Sequence, residues 1–191
     1  PDEIGRAGFV LAGGRSSRMG RDKALLPSGD STMIEKIAAE VHRAAGSVAL
    51  IGSPELYGAL GLPVIADLIT DCGPIGGLYT ALTITNADWN LIVACDLPGV
   101  TTQLLARLLA AAETCGKLAL VPESSRGLEP LCAVYHRSLV SQVADAMNRK
   151  LFKMQDFVSQ IGAARWPVPD ISTFRNVNTP EEAARFAVQI A

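Results

Sequence analysis

The feature that most constrains the fold of this chain is an alternation of short apolar runs with amphipathic stretches. Apolar runs bounded by turn residues are typical of strands, and a continuous run is typical of a strand covered on both faces. We predict strands at residues 8–11, 48–51, 63–66, 91–95, 118–121 and 131–135. Strands that alternate with helices form βαβ units, so the sequence predicts an α/β fold with a mostly parallel central sheet.

Capping residues mark two of the predicted helices. Thr32 and Glu35 have the spacing of a capping box, in which each side chain bonds the backbone N–H of the other residue. Thr179 and Glu182 repeat this spacing, with Pro180 at the first helical position. After Thr32, apolar residues recur with the helical period at Ile34, Ile37, Ala38 and Val41. Further helices are expected at 76–85 and around 104–109. A polar loop is expected from 12 to about 30.

Length and composition exclude several classes of protein. A chain of 191 residues suits one domain, 1–191, that folds without a disulfide or a metal. The net charge of -2 disfavours general nucleic-acid binding, and no apolar run approaches the roughly 20 residues that span a membrane. The cysteines lack C-x-x-C spacing and the N-terminus lacks the pattern of a signal peptide. We therefore expect a soluble cytoplasmic protein.

The loop after the first strand is the most informative segment. Gly13 and Gly14 let backbone amides approach a ligand closely, and a cluster of serine, arginine and lysine follows up to Lys23. Free N–H groups together with fixed cations suit a polyphosphate. Neither the G-x-G-x-x-G nor the P-loop pattern is present. A solvated surface loop is the alternative, but ligand sites lie at the carboxyl ends of parallel strands, which favours a functional loop.

A carboxylate follows another predicted strand at the same edge. Asp96 comes directly after the run 91–95, and Mg²⁺ prefers one or two carboxylates together with phosphate oxygens. The alternative is that Asp96 caps a helix or stabilises a turn. Thr101 and Thr102 lie nearer the following helix and can cap it, so a metal-binding role is favoured.

The loop 67–77 leaves two interpretations open. It carries Asp67 and Asp71 and a second glycine cluster, which could serve a base, a ribose or a metal, or form a surface turn before a helix. The residues favour neither interpretation. The only histidines are His42 and His136, which disfavours a histidine-based triad or a histidine-rich metal site.

Several segments, in chain order, resemble the molybdenum cofactor guanylyltransferases. Residues 11–23 match L-A-G-G-x-S-x-R-M-G-x-D-K, which is similar to the signature of that family. The other matching segments are G-P-I-G-G-L at 73–78, C-D-L-P at 95–98, E-P-L-C-A-V-Y at 129–135 and N-V-N-T-P-E-E at 176–182. The resemblance implies a three-layer, Rossmann-like fold of the glycosyltransferase-A-like kind, whose central sheet is mostly parallel or mixed.

The resemblance also implies roles for residues at the matching positions. The implied catalytic residues are Lys23 and Arg18, which would face phosphate, and Asp96, which would bind both the nucleotide and Mg²⁺. The family often has a nucleotide-contacting Asn after its second strand, where this chain has Ser53, so that contact stays open. The implied nucleotide-binding residues are Leu11, Ala12, Gly13, Gly14, Lys23, Asp67 and Asp96.

The implied reaction is transfer of GMP from GTP to the phosphate of molybdenum-bound molybdopterin, with release of pyrophosphate. The attacking phosphate is already anionic, so the reaction needs no strong general base, which fits a chain with few histidines. Cofactor-handling proteins and recipient molybdoenzymes are implied transient partners. The alternatives are a sister nucleotidyltransferase with a cytidylyl or sugar-phosphate substrate, and a nucleotide-binding protein that does no chemistry. Arg126, Lys150 and Lys153 could meet an anionic cofactor, although a solvated surface is the favoured interpretation.

Overall fold

The structure is a computed structural model that describes residues 5–13, 23–28, 31–169, 171–177, 179 and 182. Its strands are β1 (Arg6–Ala12), β2 (Pro27–Ser28), β3 (Ser31–Thr32), β4 (Ala49–Gly52), β5 (Val64–Ile65), β6 (Trp89–Ala94), β7 (Ala119–Ser124), β8 (Gly127–Leu128), β9 (Cys132–His136) and β10 (Ala164–Pro167). Its helices are α1 (Met33–Ala45), α2 (Pro54–Tyr57), α3 (Pro74–Ile84), α4 (Thr102–Thr114), α5 (Val140–Asn148) and α6 (Met154–Gln160).

A mixed sheet organises the described part of the chain. Its strand order is β10-β7-β9-β6-β1-β4-β5, and β8 pairs with β7 outside that order. β5, β4, β1 and β6 are parallel to one another, and β10 is parallel to β7. β9 runs antiparallel to both of its neighbours, β6 and β7. The prediction of an α/β fold with a mostly parallel, mixed central sheet is therefore confirmed.

Helices cover both faces of this sheet and make three layers. Along β1, side chains alternate between the two faces, as the pleat of a strand requires. Val10 and Ala12 pack in the apolar layer that contains α1 and α4. Phe9 and Leu11 pack in the layer that contains α3, α5 and α6. This burial on both faces explains why β1 is a continuous apolar run.

The first helix forms where the sequence predicts it. Thr32 is the N-cap of α1, and both hydrogen bonds of the capping box with Glu35 are present. The predicted stripe lies in the core, with Ile34 and Val41 fully buried. The helix ends at Gly46, whose φ of 81° is in the left-handed region that favours glycine at this position.

Other segments differ from the prediction. The loop expected over 12–30 contains a 3-10 turn, Lys23–Leu25, and β2, which pairs antiparallel with β3 just after the loop. The second half contains α5, α6 and β10, which the sequence did not predict. Neither α5 nor α6 has a side-chain hydrogen bond at its N-cap, so the strongest local signal of a helix start is missing from both.

The last predicted helix is described only at its start. Thr179 and Glu182 exchange the two hydrogen bonds of the capping box, 3.3 Å from the Thr179 nitrogen to a Glu182 carboxylate oxygen and 3.2 Å in the reverse direction. Pro180 lies outside the described residues.

Within the described part of the chain, no helix has the length and apolar character needed to cross a membrane. The cysteines are all free thiols.

Candidate active site

The parallel strands bring the loops that follow them to one edge of the sheet. Leu11 of β1 is paired with Ala94 of β6, and the Cys95 N–H donates to the Leu11 carbonyl oxygen over 3.2 Å. Gly13 and Asp96 come next after these paired ends, on strands spaced about 4.8 Å apart. The predicted phosphate loop and the predicted metal ligand therefore start side by side.

Asp67 reaches the same place from the end of β5. A Cβ built on Gly13 would lie 3.7 Å from Oδ2 of Asp67, an ordinary contact distance, although β4 separates β1 from β5. Burial raises the pKa of the Asp67 carboxyl group. A carboxylate that has lost part of its hydration gains more from hydrogen-bond donors on a ligand than an exposed one does. The structure thus places the half-buried Asp67 carboxylate beside Gly13.

The loop that carries Asp67 is held by Thr80, a residue that the sequence did not single out. Thr80 is fully buried on α3. Its hydroxyl accepts a hydrogen bond from the Leu68 N–H and donates one to the Gly76 carbonyl oxygen, both over 3.0 Å. The only available signal was a hydroxyl within an otherwise apolar helix face.

The second glycine cluster serves packing. A Cβ on Gly77 would lie 3.0 Å from the Leu11 side chain, and one on Gly76 would lie 3.1 Å from the Ile69 carbonyl oxygen. These glycines let α3 lie close to β1 and to the preceding loop. Neither of the two interpretations left open for this loop included such a packing role for Gly76 and Gly77, which are buried. Asp67 is the member of the loop that faces Gly13.

Asp96 lies directly after β6 and is 8% exposed. Nδ2 of Asn176 donates to its Oδ2 over 3.4 Å, and the Val177 N–H donates to its backbone carbonyl oxygen over 3.0 Å. The N-cap of α4 is Thr101, whose hydroxyl accepts from the Leu104 N–H. Asp96 is therefore not needed as the helix cap, as predicted.

The C-terminal segment, residues 172–177, lies against the turn after β6. A Cβ on Gly99 would approach the Thr173 carbonyl oxygen to 2.8 Å, so only glycine permits this contact. Arg126, in the turn between β7 and β8, donates to the carbonyl oxygen of the fully buried Phe174. Arg126 thus holds the C-terminal segment, and this role accounts for it without an anionic cofactor.

Some predicted site residues cannot be placed. Gly14 and Arg18 lie outside the described residues, and of Lys23 only the backbone is described, at the start of a 3-10 turn. The Ser53 hydroxyl, at the position of the family's Asn, donates to the Glu55 carboxylate over 2.7 Å. The predicted residues that the structure brings to this edge are Leu11, Ala12, Gly13, Asp67 and Asp96.

Both histidines lie away from this edge. His42 is exposed on α1. His136 is paired with Trp89 at the opposite end of β6, and their rings pack edge to face with centroids 4.9 Å apart. A ring nitrogen of His136 also accepts from the Ser138 N–H. His42 is therefore a surface residue, whereas His136 packs against Trp89.

The carboxylate of Asp96 is a hard oxygen ligand at the same edge of the sheet as Gly13. Among the described residues, no group of three or more His, Cys, Asp or Glu side chains could hold a metal ion. A single buried carboxylate suits an ion that takes its other ligands from phosphate groups and water, as Mg²⁺ does. The donor set therefore fits a divalent ion that arrives with a nucleotide.

Comparison with known proteins agrees with this arrangement. Residues 8–163 match the model of the MobA-like NTP transferase domain. A "Probable molybdenum cofactor guanylyltransferase" of Pelotomaculum thermopropionicum is 34% identical over 95% of this chain and 91% of its own length. A "Molybdenum cofactor guanylyltransferase" of Yersinia pestis is 31% identical over 92% of this chain and 91% of its own length.

A solved structure shares the whole architecture. The crystal structure of molybdopterin-guanine dinucleotide biosynthesis protein A from Archaeoglobus fulgidus superposes with a TM-score of 0.80, at 24% identity. The match covers 96% of this chain and 97% of that chain. Fold and family match together define a nucleotidyltransferase. The chain belongs to the MobA-like NTP transferase domain family.

Proposed function

We propose that this protein transfers GMP from GTP to the terminal phosphate of molybdenum-bound molybdopterin, forming the guanine dinucleotide cofactor and releasing pyrophosphate. The observation that carries the proposal is the meeting of Gly13 and Asp67 beside Asp96 at the carboxyl edge of the sheet. This arrangement offers a backbone surface, a carboxylate for the nucleotide and a carboxylate for a metal. The names of relatives that match over most of both chains support this choice of reaction.

The reaction needs positioning more than acid–base chemistry. An oxygen of the acceptor phosphate attacks the α-phosphorus of GTP and forms a new P–O bond. The bond from the α-phosphorus to the oxygen that bridges to the β-phosphate breaks, and pyrophosphate leaves with that electron pair. The nucleophile is already anionic, so no general base is required. The barrier comes from bringing two anions together and from the charge that builds on the leaving group.

Different residues bind the nucleoside part and the phosphates of GTP. The backbone of Leu11, Ala12 and Gly13 contacts the guanine nucleotide, and the Asp67 carboxylate accepts hydrogen bonds from it. Lys23 and Arg18, together with the amides of Gly13 and Gly14, bind its phosphates. Fixed donors aimed at the phosphates need no reorganisation as charge develops on the leaving group.

We propose that the divalent ion is Mg²⁺ and that Asp96 holds it together with phosphate oxygens. When bound, such an ion neutralises charge on the phosphates and orients them. The hydrogen bond from Asn176 to Asp96 limits the rotation of the carboxylate.

We also propose that the protein works in the cytoplasm, because its cysteines are free thiols. There it would hand over the guanine dinucleotide cofactor through transient contacts with cofactor-handling proteins or recipient molybdoenzymes.

The test is pyrophosphate release in the presence of molybdenum-bound molybdopterin with GTP or CTP. We expect kcat/KM for GTP to exceed that for CTP clearly, and expect chelation to abolish turnover until Mg²⁺ is added back. Equal use of CTP would replace the proposal with a sister cytidylyltransferase. GTP binding without pyrophosphate release would replace it with a binding protein that does no chemistry.

A further inference from the structure

Arg175 differs from the other arginines in the part of the chain that the structure describes. Its guanidinium has no partner among those residues, whereas each of the others contacts an acidic side chain or an aromatic ring. Ion pairs are formed by Arg6, Arg43, Arg126, Arg137, Arg149 and Arg165, and Arg107 lies over the ring of Trp166. Arg175 is exposed, and its backbone N–H donates to the Ser172 carbonyl oxygen.

The main chain on both sides of Arg175 is held in place. Before it, Phe174 is fully buried and its carbonyl oxygen is bonded by Arg126. After it, Asn176 contacts the Asp96 carboxylate. Adjacent Cα atoms are about 3.8 Å apart, so the backbone of Arg175 lies one residue from Asn176, which contacts the proposed metal ligand. An exposed cation is thus carried on a fixed segment beside Asp96.

The order of strands separates this cation from the nucleotide loop. β1, which ends at Gly13, lies on one side of β6. β9 and β7 lie on the other side, and the turn after β7 carries Arg126, which holds the segment of Arg175. Asp96, at the end of β6, therefore stands between Gly13 and the segment that carries Arg175.

Nucleotidyl transfer needs a site for a second anion, the acceptor phosphate, beside the nucleotide. The acceptor phosphate must reach the α-phosphorus from the side opposite the leaving pyrophosphate. A guanidinium is always charged and binds phosphate through two parallel hydrogen bonds. Because Arg175 has no carboxylate partner among the described residues, no ion pair with them must break before it binds an anion.

We infer that Arg175 binds the terminal phosphate of the acceptor molybdenum-molybdopterin. This inference rests on the proposed function and names a residue that would bind the acceptor. Arg175 is exposed, and its side chain forms no hydrogen bond, ion pair or ring contact with the described residues, so Arg175→Ala and Arg175→Lys should leave the fold unchanged. These variants can therefore report binding without a loss of structure.

The experiment varies the acceptor and GTP independently in steady-state assays. For Arg175→Ala we expect the KM for molybdenum-molybdopterin to rise by about tenfold, equivalent to about 1.4 kcal/mol, with the KM for GTP unchanged. Arg175→Lys keeps the charge but loses the two-pronged geometry, so it should restore part of the affinity. Inorganic phosphate should inhibit the wild-type protein in competition with the acceptor, and should inhibit Arg175→Ala less.

The matched control is Arg137→Ala. Arg137 is an exposed arginine paired with Asp88 over 2.9 Å, at the opposite edge of the sheet, so its removal changes the net charge equally. We expect the control to keep the wild-type KM for the acceptor. If both variants weakened acceptor binding equally, the effect would be one of overall charge and the inference would fall.

The outcomes distinguish this inference from the proposed function. Absence of pyrophosphate release by the wild-type protein with GTP and the acceptor would overturn both. Normal wild-type turnover with an unchanged acceptor KM in Arg175→Ala would overturn the role of Arg175 alone. A rise in the KM for GTP instead would assign Arg175 to the nucleotide phosphates and would also overturn the inference.

Discussion

The amide of Asn176 lies 3.4 Å from the carboxylate of Asp96, from Nδ2 to Oδ2, although 80 residues separate the two in the chain. The next residue, Val177, bonds the backbone carbonyl oxygen of Asp96. The proposed metal ligand is therefore held at its side chain and at its main chain by the same segment. This segment is in turn placed by the absence of a side chain at Gly99.

Asp96→Asn should abolish transfer while leaving the fold intact. The substitution keeps the shape of the side chain but removes the anionic ligand, and we expect turnover to fall by at least about a hundredfold, or some 2.7 kcal/mol of barrier. Turnover at saturating Mg²⁺ and the circular dichroism spectrum check this. Asp156→Asn, at an exposed carboxylate on α6, is the control. Near-normal turnover in Asp96→Asn would remove Asp96 from the metal site.

Lys23→Ala should lower kcat rather than only raise the KM for GTP. A cation aimed at the phosphates matters most where charge builds on the leaving pyrophosphate, and we expect a loss of at least about tenfold, or 1.4 kcal/mol. Lys36→Ala, at an exposed lysine on α1, should behave as wild type. A change confined to the KM would show equal binding of ground and transition states and would withdraw the catalytic role.

Gly13→Ala should change nucleotide use without changing stability. Among the described residues, the new Cβ would meet only Oδ2 of Asp67, at 3.7 Å, an ordinary contact that the free protein accommodates. A guanine base that approaches the backbone closely would be displaced, giving a loss of GTP use or a shift towards CTP. Gly58→Ala, where a Cβ has no neighbour within 4 Å, is the control. Unchanged kcat/KM for both nucleotides would show that the base does not contact Gly13.

Asp67→Asn should raise the thermal stability at neutral pH while weakening GTP binding. Burial raises the pKa of Asp67, so the folded state binds its proton more tightly than the unfolded state does. Stability therefore falls as the pH rises through the interval between the ordinary and the raised pKa, and the charged form costs stability above it. The amide variant avoids this cost.

Melting temperatures of Asp67→Asn and the wild type, compared at neutral and acidic pH, test whether the charged Asp67 carboxylate lowers stability. The advantage of Asp67→Asn over the wild type should shrink on acidification, because the wild-type carboxyl group is then neutral as well. Asp71→Asn, at an exposed carboxylate in the same loop, is the control for removing a negative charge there. An advantage that grows at acidic pH would contradict the assignment.

Glu40→Ala should destabilise the packing of α1 on α4. Its Oε2 accepts hydrogen bonds from the Thr102 N–H over 2.5 Å and from the Thr102 hydroxyl over 2.6 Å. A side chain of α1 therefore bonds a backbone N–H in the first turn of α4. We expect a loss of about 1–2 kcal/mol in the free energy of unfolding. Glu55→Ala, which loses a local bond to Ser53, should cost less. Equal denaturation midpoints for the two variants would contradict the capping role.

Much of the fold follows from local patterns in the sequence. All the predicted strands occur, although that at 63–66 is reduced to Val64–Ile65. Apolar runs and capping boxes act over four to eight residues, so their effect depends little on the rest of the chain. By contrast, the segment 140–167 has no side-chain caps at its helix starts, and its elements form through packing against the sheet.

The direction and neighbours of a strand are set by distant partners. The sequence predicted a strand at 131–135, but not that β9 would run antiparallel between β6 and β7. This placement turns the chain so that β7 ends at the same edge as β6. It thereby brings Arg126 and the C-terminal segment to Asp96.

The sequence by itself determined the strands, the capped start of α1 and the positions of Gly13 and Asp96 at strand ends, because each depends on neighbours in the chain. The tertiary structure alone decided that Asp67 faces Gly13, that Asn176 bonds Asp96 and that Arg175 has no partner among the described residues. Contacts of this kind join residues dozens of positions apart. They form only when the whole sheet and both helix layers have packed, so no local propensity encodes them.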